Sequence, residues 1–284
     1  MGKKEIAIVI DSCTDVPPAE IERYGMYVVP VQVNYEDGSY LDKVDITPQE
    51  VYDRLAVEVP RTSTPTPAIA SEVLGRVVAD GYEQAVVVTI SSGLSSTHDL
   101  LRSVSSGMSR LRTLLVDTKN IGMGAGLVVL ALARMVEAGA TLEELEEAAD
   151  RIVANTKVFF CVDTLDYLLR GGRIGKVTYR VGSLLDMRPV ISCNEEGVYY
   201  TVSKAKGRKL SLKRAMSCAE KFAAQFDECV MAVVDGDAAS EAAEVRRELK
   251  GRIANATTWY EGNVSPALVV HTGPGLIGVG VQGA

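Results

Sequence analysis

Residues 89–100 read TISSGLSSTHDL: an apolar run gives way to five hydroxyl side chains, a glycine and a histidine before a helical pattern begins. Ser91, Ser92, Ser95, Ser96 and Thr97 offer small uncharged donors. The free N–H groups and dipole of an oncoming helix add to them, so the stretch suits a carboxylate or a phosphate. Two further stretches share this chemistry. RTSTPTP, residues 61–67, packs three threonines, a serine and two prolines ahead of a helical pattern. VVHTGPG, residues 269–275, sets His271 after an apolar run beside Thr272, Gly273 and Gly275. Each stretch also has a plain structural use. Thr66 can cap the helix that follows it, serines are frequent in loops, and a histidine at a strand end can serve the fold alone.

The elements that must position these residues follow from hydrophobic periodicity. EIAIVID (residues 5–11), AVVVTI (85–90) and TLLVD (113–117) are apolar runs of strand length, each followed by a small polar loop and a helical pattern. In the first loop Thr14 or Asp15 is the expected helix cap, with proline in the first turn and Gly25 at the end. Continuous apolar strands predict a parallel sheet covered on both faces, and ligands of such sheets bind at the carboxyl ends of the strands. Residues 141–156 predict a surface helix with Thr141 and Glu144 in capping-box spacing.

Beyond it the texture changes. A hairpin turning at residues 195–197, a helix at 211–226, a strand in CVMAVVDGD, a helix in AASEAAEVRRELKG and closing strands in PALVVHTGPG and IGVGVQ predict a mixed or antiparallel sheet. The expected fold class is therefore α/β in two domains. A doubly wound parallel-sheet domain, residues 1–165, carries the anion-binding loops. A second α/β domain, residues 166–284, has the mixed or antiparallel sheet.

Composition narrows the function. The apolar share is 47%, yet there are only four Phe and one Trp, so the interior is aliphatic. A net charge of -7 opposes global binding to nucleic acid or to an anionic membrane surface. Five scattered cysteines and two histidines give neither a disulfide framework nor a metal site. No secretion leader or membrane-spanning run is read, and a cytoplasmic location without membrane insertion is expected.

In order along the chain, DSCTD (11–15), TSTPTP (62–67), ISSGLSST (90–97), VDTKNIGMGAG (116–126), LLRGGRIG (168–175), RPVI (188–191) and HTGPG (271–275) resemble the motifs of the DegV family of bacterial fatty-acid-binding proteins. The resemblance implies two α/β domains with a long-chain fatty acid between them, its carboxylate near the hydroxyl loops and its tail in the second domain. It implies carboxylate contacts from Thr62 and Ser63, from Ser92 or Ser95, and from His271, with Gly93 letting backbone approach the ligand. Ser96 and His98 depart from the family pattern, where a glycine and an aromatic are usual. It further implies a non-catalytic role, without a cofactor or metal, as the acyl-carrying subunit that presents the carboxylate to a separate ATP-binding kinase subunit. A head-group site made only of hydroxyls, amides and histidine would leave the carboxylate ionised and nucleophilic.

Lys204, Lys206 and Arg208, in a segment free of acidic residues, and Arg170, Arg173, Lys176 and Arg180 form two basic groups. Arg170, Arg173, Lys204, Lys206 and Arg208 are the expected docking residues for that partner, with a solvated helix face as the alternative. Three other functions compete. A serine hydrolase would use Ser92 or Ser95 with His271 and Asp117, but no G-x-S-x-G elbow is present. A binding protein or transferase for a small phosphorylated metabolite could use the same loops. A regulatory module has only the basic groups in its favour.

Overall fold

The structure is a computed structural model that describes residues 5–177 and 187–283. The first part of the chain runs β1 (Ile6–Asp11), α1 (Pro18–Tyr24), β2 (Tyr27–Val29), β3 (Gln32–Tyr35), β4 (Gly38–Leu41), α2 (Pro48–Arg54), β5 (Arg61–Ser63), α3 (Pro67–Ala79), β6 (Gln84–Thr89), α4 (Thr97–Ser106) and β7 (Arg112–Asp117). It continues through α5 (Met123–Glu137), α6 (Leu142–Ala154), β8 (Thr156–Cys161), α7 (Asp166–Arg170), β9 (Val190–Cys193) and β10 (Tyr199–Ser203). It closes with α8 (Arg208–Ala223), β11 (Cys229–Gly236), α9 (Ala239–Lys250), β12 (Ala256–Asn263), α10 (Pro266–Thr272) and β13 (Leu276–Gly283).

The fold is α/β, with a parallel sheet in the first part and a mixed sheet in the second. Strands β2-β1-β6-β7 pair in parallel, Ile8 opposite Val86 and Val88 opposite Val116. The second sheet has the order β10-β9-β8-β13-β11-β12, in which only β11 and β12 pair in parallel. A small antiparallel sheet, β4-β3-β5, carries the hydroxyl stretch, with Thr62 opposite Val33.

Strand periodicity explains the layers. Ile6, Ile8 and Ile10 of β1 face one core cluster, while Ala7 and Val9 face another beneath α3 and α4. The first cluster continues through Leu127 and Leu130 of α5 to Val158 and Phe160 of β8 and Val234 of β11. Helix α5, MGAGLVVLALARMVE, is buried around nearly its whole circumference because it lies between the two sheets. A third cluster fills the space between the outer face of the second sheet and α8 and α9.

Several elements differ from the sequence expectation. PALVVHT is helix α10, not a strand: Pro266 opens it, and all of its residues but His271 are buried. A short apolar run buried on all sides has no period by which sequence can separate helix from strand. The first helix starts at Pro18 behind Pro17 with no side-chain cap, while Asp11 caps the short 3-10 turn before it; Gly25 ends the helix as expected. The chain enters the second sheet at Thr156, the first residue of β8. The capping box of Thr141 and Glu144 and the β9–β10 hairpin form where the sequence places them.

Candidate functional site

The polar loops after β1, β6 and β7 meet at the carboxyl edge of the parallel sheet, held by side chains that bond across from one loop to the next. Asp11 accepts the N–H groups of Cys13 at 2.9 Å and Ile90 at 2.7 Å, which ties β1 to the serine loop. Ser91 donates from Oγ to Gly197 O at 2.8 Å, fastening that loop to the β9–β10 hairpin. Ser92 is engaged at both polar atoms: its N–H donates to Asp117 Oδ1 at 3.2 Å, and its Oγ accepts from Lys119 Nζ at 3.2 Å. Lys119 Nζ also donates to Asp117 Oδ2 at 2.7 Å. Burial opposes ionisation of Asp117, but hydrogen bonds from Lys119 and Ser92 outweigh it and hold the carboxyl below its usual range. Ser95 Oγ meets Thr97 Oγ1 at 2.9 Å and accepts the Thr97 N–H at 3.3 Å, so it organises the start of α4.

A cavity of about 110 Å³ opens beside these loops. Thr62, Ser63, Ser95, Arg173 and His271 contribute to its lining, with Leu268, Ile121 and Tyr199 on its apolar side. A second, smaller space of about 30 Å³ shares Ile121, Tyr199, Leu268 and Thr272 with the first and is otherwise walled by apolar residues such as Phe160, Val234 and Leu276. The polar cavity thus borders an apolar pocket between α5, α10 and the second sheet.

Four of the expected ligand residues, Thr62, Ser63, Ser95 and His271, line one cavity; Ser92 and Gly93 do not. A Cβ on Gly93 would stand 2.8 Å from Glu196 O, so the glycine accommodates the hairpin turn. Thr62 and Ser63 point to opposite faces of β5: Thr62 Oγ1 meets His271 Nε2 at 2.7 Å, whereas Ser63 Oγ accepts from Asn34 Nδ2 at 3.1 Å. Burial, with Arg173 nearby, pushes His271 down to about 4, so the imidazole is neutral at physiological pH. Its Nδ1 is buried without a partner among the described residues, against Gly171, where even a Cβ would collide with the ring. The tautomer protonated at Nε2 leaves no N–H buried without an acceptor. In that state His271 donates to Thr62 Oγ1, and the threonine's own hydroxyl hydrogen is free for an anion.

Arg173 is a correction to the expectation of an uncharged head-group site. Read from sequence as a docking residue, it lines the cavity, with Nε donating to Leu94 O at 3.2 Å and Nη1 to Gly171 O at 2.8 Å. The turn after α7 folds it back toward α10, a placement that the local string LLRGGRIG does not encode. Arg208 is also not free: it pairs with Glu241 through Nη2 at 2.8 Å and Nε at 3.2 Å and joins α8 to α9. Arg170, Lys204 and Lys206 are exposed, and Arg180 lies outside the described residues. Tyr199, Ile121 and Leu268 were missed from sequence because their only signal is apolarity.

Neither histidine bonds a serine among the described residues. His98 Nδ1 meets Thr89 Oγ1 at 3.1 Å and His271 meets Thr62, so the serine, histidine and acid arrangement of a hydrolase is not assembled. No group of metal-ligating side chains occurs among the described residues, and no helix among them is long and apolar enough to cross a membrane.

Fold and site together define an α/β protein built on a parallel and a mixed sheet with a small antiparallel one beside them, in which a polar cavity at the edge of the parallel sheet leads to an apolar pocket against the mixed one. The family model for DegV proteins, described as uncharacterised, matches residues 5–283. A DegV domain-containing protein of Clostridium acetobutylicum is 40% identical over 276 residues, covering 97% of this chain and 98% of the relative. The chain belongs to the DegV family. Among solved structures, a DegV family protein of Thermus thermophilus described by its fatty acid binding superposes with a TM-score of 0.92 at 26% identity, covering 99% of this chain and all of that one. A stearic-acid-binding protein of Eubacterium ventriosum gives a TM-score of 0.88 at 27% identity over 98% of both chains.

Proposed function

We propose that this chain binds a long-chain fatty acid, its carboxylate at Thr62, Ser95, Arg173 and His271 and its tail along Ile121, Leu268, Phe160 and Leu276, as a cytoplasmic lipid carrier. The observation that carries the reading is the Thr62–His271 pair at the polar end of a cavity that borders an apolar pocket. Each buried methylene of a tail contributes about 0.8 kcal/mol, so an aliphatic pocket supplies affinity and the hydroxyls supply orientation. The fatty acids bound by structural relatives support the same ligand class. The apolar continuation favours an acyl tail over a phosphorylated metabolite.

In the fuller form of this proposal the chain is the non-catalytic subunit of a fatty acid kinase. It presents the carboxylate to a separate ATP-binding subunit, where a carboxylate oxygen attacks the γ-phosphorus and ADP departs. Exposed Arg170, Lys204 and Lys206 are the docking side chains in this reading.

Organic extraction of the purified protein followed by mass spectrometry tests the ligand class; a stoichiometric long-chain fatty acid is expected. An empty extract, with no thermal protection by palmitate or oleate, would overturn the reading. Replacing Thr62 with valine keeps the side-chain shape and removes the hydroxyl. The loss of a hydrogen bond to a charged group costs about 1.5–3 kcal/mol, roughly a ten- to hundredfold rise in Kd measured by calorimetry.

A further inference from the structure

Helix α10 carries much of the cavity wall, and its first turn is held by side chains from the other end of the chain. Asp15 Oδ1 accepts the N–H of Ser265 at 3.1 Å, and Asp42 Oδ1 accepts that of Ala267 at 2.9 Å. Pro266 between them has no N–H to offer. Lys43 Nζ donates to Asp15 Oδ1 at 2.8 Å. Both aspartates are buried, an arrangement that is costly unless the carboxylates are used.

Two features argue against a simple helix cap. Ser265 already occupies the cap position, yet its side chain makes no cap bond. Asp15 and Lys43 both hold positive φ, +52° and +63°, a conformation that persists in non-glycine residues only where the surroundings over-determine it. The chain therefore keeps two strained residues, paired with each other, at the point where α10 begins. Six residues on, about 9 Å along the axis, stands His271. Between them Ala267 and Leu268 face the cavity.

We infer that Asp15 and Asp42 are positioning residues, which fix the depth and rotation of α10 and thereby hold His271 against Thr62 and Leu268 against the ligand. The inference rests on the fatty-acid reading for its consequence on binding, but its geometric part is independent of any ligand. Lys43 serves Asp15 as counter-charge, and Gly171, packed against the His271 ring, is the stop at the far end of the helix.

The test follows the two histidines by NMR across pH, assigned with a His98→Gln variant, beside palmitate affinity by calorimetry. In Asp42→Ala the His271 titration is expected to move from its depressed position toward that of an ordinary histidine, and palmitate Kd to rise about tenfold. Asp42→Asn keeps an oxygen for the Ala267 N–H and is expected to restore both. A folded Asp42→Ala with unchanged His271 titration and unchanged Kd overturns the inference. If Asp42→Ala does not fold, Lys43→Met carries the test: the same two shifts support the inference, and their absence overturns it. Wild-type protein that binds no palmitate sinks the fatty-acid reading alone, and the His271 titrations still decide the role of the aspartates.

Discussion

Gly93 stands where the serine loop touches the hairpin of the second sheet, and its lack of a side chain is what lets them meet. With Glu196 O and Gly197 O both within 3.0 Å of a Cβ position, Gly93→Ala must push the turn outward. Overpacking of this kind costs about 1–3 kcal/mol, and the loss is expected in a thermal melt together with faster amide exchange at Gly197. At this scale the sequence was legible in type but not in assignment. Five hydroxyls in one loop correctly mark a crowded polar edge, yet holding a loop and holding a ligand call for the same side chains. Only the positions of Asp117, Lys119 and Gly197 show that Ser91 and Ser92 serve the loop. Thr62 and His271 are separated in sequence by 209 residues, and neither local string reveals the other.

Among the elements, those with clear periods were readable. The apolar strands of the parallel sheet and the capped helix α6 form as their patterns dictate. Helix α10 was not readable, because burial on every side erases its period. The join between β1 and β6 rests on Asp11, whose carboxyl burial raises from 3.8 to about 7 despite the two N–H bonds it accepts. Between pH about 4 and about 7 the folded state therefore holds more protons than the unfolded one, and this group's contribution to stability falls as pH rises. Asp42, raised by burial to about 6, acts with the same sign. His271 acts with the opposite sign below its ordinary value, because its folded form is the less protonated. Asp11→Asn isolates the first effect. It leaves one of two buried N–H groups without its acceptor, a cost of about 1–3 kcal/mol at the acid end. Urea denaturation across the range is expected to show the gap to wild type narrowing as pH rises.

For the molecule as a whole, α5 is the joint. Its residues Leu127 and Leu130 share one core with β1 and β6 on one side and with β8 and β11 on the other. Leu127→Ala is expected to cost about 2–5 kcal/mol and to lower the stability of both sheets together. Fluorescence of Trp259 on β12 and amide exchange at Val87 on β6 should report one coincident transition. Two separated transitions would count against the shared core. The sequence offered a helical pattern after the third apolar strand, but not which surfaces cover it.

The central place of β13, between β8 and β11, sets the order in which this molecule can be made. On a ribosome the parallel sheet, with the hydroxyl loops at its edge, can assemble while β8 still waits for a neighbour to be translated more than a hundred residues later. Until α10 and β13 arrive the apolar pocket lacks Leu268 and Leu276, and Thr62 lacks its imidazole. On the proposed reading, a full head-group site for a lipid forms only after α10 has been added to the parallel sheet.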